Sequence, residues 1–291
     1  MILVLVLGLA IGGVYALVGI GFTLVYRTAG VINFAQGAFV MLGGMGTWYL
    51  YEEQDLGYVL SALLALLFCV VVAAGLWFAI VLPLRRTNAA PYIFMLATFV
   101  FAVLVGQLVE KAVSNQPRTL PPWFGGFTID LYGVDVSGQY LVVIAVAAAV
   151  VGAVSLGLRH SKLGKEMRAS AASPATSALI GVNPDRSGLL ALLLGALLGG
   201  LAGILVTGVQ FTSSDPLLYT VFGFAAAIAG GFGKIYGAVV GGMAFGIIQA
   251  AVSYYGSANY VTPVAFAVLI LILTVRPQGL LGAEEHEAMR A

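Results

Sequence analysis

Nine apolar stretches, at about 2–26, 33–51, 58–82, 91–110, 139–158, 187–210, 217–231, 235–255 and 258–275, take up most of this chain. Several approach or exceed the roughly 20 residues that a helix needs to cross the hydrocarbon core of a bilayer. In lipid every backbone N–H and C=O needs an internal partner, so runs of this kind fold as helices. With 61% hydrophobic and 9% charged residues and a mean hydropathy of +1.04, an ordinary soluble domain is excluded. The expected fold is an all-α polytopic membrane protein of about eight to ten transmembrane helices. The first stretch has no basic segment ahead of it, as a signal peptide would, so 2–26 reads as a retained span.

The beginning of the chain is built like a later part of it. Gly12, Gly13, Gly21, Gly43, Gly44 and Gly46 recur as Gly199, Gly200, Gly208, Gly230, Gly231 and Gly233, all at an offset of 187 residues, and Ala225 falls on Ala38. Both copies are interrupted after their first helix. A polar knot with Arg27, Thr28, Asn33 and Gln36 breaks the first, and Ser213–Pro216 breaks the second. Duplicated halves with broken helices are a common build of membrane transporters. Basic loops (Arg27; Arg85 and Arg86; Arg159 to Arg186; Lys234; Arg276) alternate with acidic or neutral ones (Glu52, Glu53 and Asp55; Asp215). By the positive-inside rule the N-terminus lies outside and the C-terminus in the cytoplasm. The first interruption then faces the cytoplasm and the second faces outward, so the repeats are expected to be inverted. The predicted organisation is one membrane domain over 1–291, with repeat one at about 1–110 and repeat two at about 187–275. A cytoplasmic segment spans 159–186 and a cytoplasmic tail 276–291. Small residues four apart (Gly195/Gly199/Gly203, Gly233/Gly237/Gly241, Gly242/Gly246) predict close helix packing.

The inventory of reactive groups is short. The lone Cys69 has no disulfide partner, and a net charge of +1 argues against nucleic acid. His160 and His286 lack ligand-spaced partners, so no metal is expected. GGFGK at Gly230–Lys234 fails as a phosphate loop, because Ile228 stands where a glycine is required and Ile235 where Ser or Thr is. Glu110 and Lys111 sit at a span end, and no carboxylate lies within a span. Proton- or sodium-coupled carriers usually need one, so the energy for any transport is expected from elsewhere.

The polar residues left inside the membrane are few. Asn33 either caps a helix or, with Gln36, lines a path where broken backbone faces a cavity. Thr98 either bonds back to its own helix or joins that path. Gln107 and Gln249 lie near span ends, and Gln210 and Thr212 open the second interruption. Gly37 lets a solute approach the backbone, and Phe34, Phe39, Phe222 and Phe224 suit a neutral or apolar-tailed one. The broken helices around Asn33–Gly37 and Tyr219–Ala225 are the expected gates. The segment Arg159–Arg186 reads either as a solvated basic loop or as a short docking helix whose small residues Ala169–Ala172 enter a partner's groove.

GFTLVYRTAGVINFAQGAFVMLGG at 21–44 resembles the signature of Liv-type ABC importer permeases, the H-type subunit for branched-chain amino acids. LGKEMRASAASPATSALIGVNPDR at 163–186 resembles that family's cytoplasmic loop, and GFAAAIAGGFGKIYGAVVGG with TVRPQGLLG its C-terminal part. The resemblance covers nearly the whole chain. It implies one half of a heterodimeric permease in the bacterial cytoplasmic (inner) membrane. The implied partners are an M-type permease, two cytoplasmic ATPases and an extracytoplasmic solute-binding protein. The chain itself would be no enzyme and bind no cofactor, with ATP and magnesium held by the ATPases. ATPase docking would fall to Leu163, Gly164, Glu166, Met167, Arg168, Ala169, Ala172 and Gly181, and the translocation path to Asn33, Phe34, Gln36, Gly37, Thr98, Tyr219, Phe222 and Phe224. Ala38 stands where many relatives carry an acidic residue, and Gln36 where His is common. Since related permeases carry urea, amides or hydrophobic acids, substrate choice is left to the binding protein. The implied function is import of branched-chain or other neutral amino acids, or related small solutes, by alternating access. The rival reading is an ATP-independent channel or facilitator for a small neutral solute such as urea. A non-transporting scaffold would leave the broken helices unexplained.

Overall fold

The first apolar run forms helix α1, Ile2–Ala29, and continues past residue 26 because Arg27 sits well in a last helical turn, beside the negative end of the helix dipole. Gly30 ends it in a left-handed conformation (φ 71°) that a residue with a side chain rarely adopts. The computed structural model describes residues 1–113, 116–123, 126–130, 133, 135–172, 177, 181–210, 212–276 and 278–281. After α1 come α2 (Gln36–Trp48), extended by a π turn over Tyr49–Glu53, and α3 (Tyr58–Arg86). Helix α4 (Pro91–Ala112) leads to a small antiparallel hairpin, β1 (Thr128–Asp130) with β2 (Asp135–Ser137), Thr128 lying opposite Ser137. Helix α5 (Gly138–His160) is followed by α6 (Lys162–Ala172) and α7 (Pro184–Thr207). The chain closes with α8 (Pro216–Gly231), α9 (Ile235–Tyr255) and α10 (Val261–Val275).

Six of the described helices, α1, α3, α4, α5, α7 and α9, are long and apolar enough to cross a membrane, while α2, α8 and α10 are shorter. The protein is thus an all-α polytopic membrane protein. The boundaries around both interruptions differ from the sequence expectation. Helix α7 starts before residue 187 because Asn183 Oδ1 accepts the N–H groups of Asp185 (3.0 Å) and Arg186 (3.1 Å), with Pro184 in the first turn. It ends at Thr207, so the second interruption runs from Gly208 to Asp215, and Pro216 already belongs to α8. There Asp215 Oδ1 accepts the N–H of Leu217 at 2.8 Å. The first interruption shifts from Arg27–Asn33 to Gly30–Ala35, since Arg27 and Thr28 are helical and α2 starts only at Gln36.

Every residue from Ala10 to Val25 is buried, as expected of a helix that is apolar on all sides. The packing around α1 comes in matched pairs. Helix α1 lies on α9 as α7 lies on α3, α2 on α7 as α8 on α1, α2 on α3 as α8 on α9, and α2 on α4 as α8 on α10. The ends of the bundle are equally clear. Leu24, Arg27 and Thr28 of α1 meet Leu158 and Arg159 of α5 and Gly164 and Met167 of α6. Helix α7 begins at that same end, where Asp185 pairs with Arg85 of α3 (2.9 Å). It finishes at the other, where the Thr207 carbonyl accepts Leu120 N–H (3.1 Å) and Thr212 exchanges backbone bonds with Arg118. The breaks after α1 and after α7 therefore open at opposite ends.

All three small-residue stripes form packing seams, the third without its first glycine. A Cβ built on Gly203 would lie 1.9 Å from the Val40 carbonyl oxygen, so α2 and α7 touch backbone to backbone. Gly242 and Gly246 bring α9 equally close to α1. In the third, Gly233 is not helical. It sits in the tight turn between α8 and α9 with φ 86°, while Gly237 and Gly241 face α8. The end of the described chain has a task of its own. Leu280 and Leu281 donate their N–H groups to the Ala229 and Gly230 carbonyls at the end of α8, at 2.7 and 3.0 Å, satisfying acceptors that a helix terminus leaves free. Residues 282–291, His286 among them, lie outside the described residues.

Candidate functional site

The two interruptions meet inside the protein. The turn before α2 is set by Asn33, whose Oδ1 accepts Ala35 N–H at 3.1 Å while its carbonyl accepts Gln36 N–H at 3.3 Å. Asn33 thus closes a turn just ahead of the helix rather than capping it, since the N-cap of α2 is Ala35 and has no side-chain hydrogen bond. Its Nδ2 is buried with no partner among the described residues, and the side chain borders a very small cavity shared with Thr98, Phe94, Trp77 and Val31.

Phe34 ties the break to two other helices. Its N–H donates to Thr98 Oγ1 (3.0 Å), and its carbonyl lies 3.4 Å from Thr220 Oγ1 on α8. The Thr98 hydroxyl also bonds back to the Phe94 carbonyl at 2.9 Å, the bond to its own helix that was one of its two expected roles. Replacing Thr98 with Val leaves the half-buried Phe34 N–H without its acceptor, at a cost of about 1 kcal/mol. A thermal melt of the detergent-solubilised Thr98→Val protein should fall a few degrees below wild type, with Thr98→Ser close to normal. Equal melts for all three would show that the bond contributes nothing.

Gly37 is where α2 and α8 touch. A Cβ there would lie 2.1 Å from both the Pro216 carbonyl oxygen and Thr220 Oγ1, so the first turns of the two broken helices lie on each other. Gln36 is fully buried in a cradle of glycines. Its Nε2 donates to the Gly195 carbonyl at 2.9 Å, and Gly21 and Gly199 leave the room its amide fills. No Asp, Glu, Lys, Arg or His is among these residues. What charge there is comes from the N-terminus of α2, whose N–H groups have no side-chain cap and carry a partial positive charge, since the N-terminus of α8 is already met by the Asp215 carboxylate.

From Phe34 a ladder of rings runs toward the α6 end. Ring centroids are 5.4 Å apart for Phe34–Phe224, 5.7 Å for Phe224–Phe232 and 4.5 Å for Phe232–Tyr26, with Phe99 flanking Phe34 at 6.5 Å. Phe99 and Tyr26 are exposed, so the ladder borders the outside of the bundle.

Of the predicted path residues, the structure gathers Asn33, Phe34, Gln36, Gly37, Thr98 and Phe224. Phe222 turns the other way and stacks on Tyr15 at 5.5 Å, because residues two apart on a helix point to opposite faces. Phe39 packs with Trp77 and Leu76, behind α2, and Tyr219 is buried in the core shared by α1, α7 and α8. Thr220 was not foreseen. It is the counterpart of Asn33 at the 187-residue offset, so extending the glycine correspondence to polar positions would have found it. Phe99, Phe232 and Tyr26 carried no such signal.

The predicted docking residues other than Gly181 lie on α6, and they do not share one face. Gly164 and Met167 are buried against the bundle, and a Cβ on Gly164 would stand 2.0 Å from the Leu158 carbonyl oxygen. Leu163, Glu166 and Ala169 are half-buried. The exposed Arg168 donates to the Leu158 and Arg159 carbonyls, pinning α6 to the end of α5. Ala172 is the last described residue of α6, and Gly181 forms an exposed turn with φ 84°. Residues 173–176 and 178–180 between them lie outside the described residues. The face left to a partner carries Lys162, Lys165, Arg168 and Ala171.

Residues 4–273 match the family described as branched-chain amino acid transport system / permease component. The chain is 30% identical to the high-affinity branched-chain amino acid transport system permease protein LivH of Escherichia coli K12, over 96% of this chain and 95% of that protein. It is 33% identical to the corresponding permease protein BraD of Pseudomonas aeruginosa, over 97% and 96% of the two chains. It is also 26% identical to the ribose import permease protein RbsC of Escherichia coli K12, over 89% and 80%.

Proposed function

The chain belongs to the family of branched-chain amino acid transport permease components, and on that footing we propose that it is one half of an ATP-driven importer in the bacterial inner membrane. The observation that carries this reading is the contact of α2 and α8 at Gly37, an uncharged interior site where two broken helices meet end to end. Such a site has no group that could couple transport to protons or sodium. It is also closed, with room for hardly more than a water molecule beside Asn33 and Thr98. Passage of a solute therefore requires α2 and α8 to part, and the work for that has to come from outside the chain.

The matched helix pairings and the breaks at opposite ends support two inverted halves that rock against each other in alternating access. The basic loops support a cytoplasmic location for the α6 end and the C-terminus, with the N-terminus outside. There the exposed face of α6 takes up the movement of two ATPases, which hold ATP and magnesium. A second permease subunit covers the aromatic ladder, and an extracytoplasmic binding protein delivers the solute. The substrate is a branched-chain or similar neutral amino acid, as for LivH and BraD. Its carboxylate would find the uncapped positive end of α2, and its side chain the rings of Phe34 and Phe224.

The test is isolation of the chain from its native membrane in mild detergent, followed by leucine uptake in proteoliposomes with and without ATP. Stoichiometric recovery of a second permease and two P-loop ATPases, with uptake only when ATP is supplied, is the expected result. Recovery of the chain alone with ATP-independent flux would make it a facilitator instead.

A further inference from the structure

The α6 end of the bundle carries a groove of about 410 Å³ between α1, α5, α6 and α9, apart from the contact of α2 and α8 at Gly37. Arg27, Arg159 and Arg168 stand around it, and no acidic residue lines it. Among the described residues the only ion pair is Arg85–Asp185, at a different corner, so Arg27 and Arg159 meet no carboxylate. Arg168 turns both of its Nη groups to the end of α5, whereas Arg27 and Arg159 have no ion-pair partner among the described residues. Ser155 Oγ also lines the groove and has no partner among the described residues. The remaining walls are apolar, from Leu158, Met167 and Ile235. Tyr236, at the rim, is 70% exposed.

This mixture has a definite depth. Arg27 lies in the last turn of α1, Arg159 in the last turn of α5, and Tyr236 in the first turn of α9. Three helix ends at one level mark where hydrocarbon gives way to headgroups, and Tyr is at home there. Basic pockets between membrane helices at that level hold phosphodiesters of anionic lipids.

We propose that the Arg27–Arg159–Ser155 groove is a binding site for the phosphate headgroup of one anionic phospholipid, with an acyl chain along Leu158 and Ile235. The lipid sits behind α6 and leaves Lys162 and Lys165 on its outer face free, so it seats the segment that takes up ATPase movement. Only that last consequence rests on the importer reading. Binding itself does not.

The test uses the full complex in mild detergent and native mass spectrometry, titrated with diphosphatidylglycerol, phosphatidylglycerol, phosphatidylcholine or inorganic phosphate. One anionic lipid per chain should persist, and Arg27→Gln with Arg159→Gln should weaken it about 10- to 30-fold. Arg27→Lys with Arg159→Lys should keep most of the binding, which separates a headgroup site from a folding defect. Unchanged lipid binding by the double Gln variant would overturn the proposal. So would displacement by millimolar inorganic phosphate, which would mark a soluble anion site. Loss of an ATPase subunit with lipid retained would mark a protein interface and overturn it as well.

Discussion

Gly37→Val should abolish uptake while leaving the permease assembled. The new Cβ would stand 2.1 Å from the Pro216 carbonyl oxygen and from Thr220 Oγ1, so the first turns of α2 and α8 cannot keep their contact. The Phe34 carbonyl would then lose Thr220, and its N–H the alignment on Thr98. The rest of α2 stays held against α7, away from the altered turn. A loss of about 100-fold in initial leucine uptake is expected, the rate equivalent of roughly 3 kcal/mol of overpacking at a site that has to close. Gly57→Ala is the control, since nothing lies within 4 Å of a Cβ there. Uptake by Gly37→Val above half the wild-type rate would remove the α2–α8 contact from the mechanism.

Gly203→Leu should act on the fold itself. Its Cβ would fall 1.9 Å from the Val40 carbonyl oxygen and 2.8 Å from the Gly44 nitrogen, both backbone atoms that cannot swing aside. On the same seam Gly43 approaches Gly200 to 2.1 Å by the same measure. Helices α2 and α7 would have to separate along their length, and in lipid no hydrophobic gain offsets lost contact. The thermal melt in detergent should fall by roughly 10 °C, with little folded complex recovered from the membrane. Gly152→Leu on α5 meets nothing within 4 Å and should melt as wild type. Equal melts for the two variants would mean that the α2–α7 seam is looser than described.

How much of this was legible in the sequence depends on how local each property is. The helical spans appear close to their predicted positions, because the length of an apolar run and the charges that end it are properties of consecutive residues. The errors sit at caps. Asn183 and Asp215 start their helices through side-chain oxygens, and Gly30 ends one through its φ, details that a hydropathy profile does not register. Gln36 was singled out as a rare polar residue, yet its glycine cradle comes from α1 and α7, well away in the chain. The docking segment was found as a segment but not as a face, since burial of Gly164 and Met167 depends on where α5 ends.

By itself, then, the sequence determined that this protein crosses a membrane many times as helices, that it belongs with the branched-chain amino acid permeases, and that its reactive inventory is nearly empty. Those follow from solvation and from motifs read in order along the chain. Only the tertiary structure decided that the Gly37 turn rests on Pro216 and Thr220, that Phe224 joins Phe34 while Phe222 turns to Tyr15, and that Arg27 and Arg159 share one groove. Each of these joins residues from distant parts of the chain. Helix packing in lipid sets such contacts, through backbone approach at glycines that no single segment specifies.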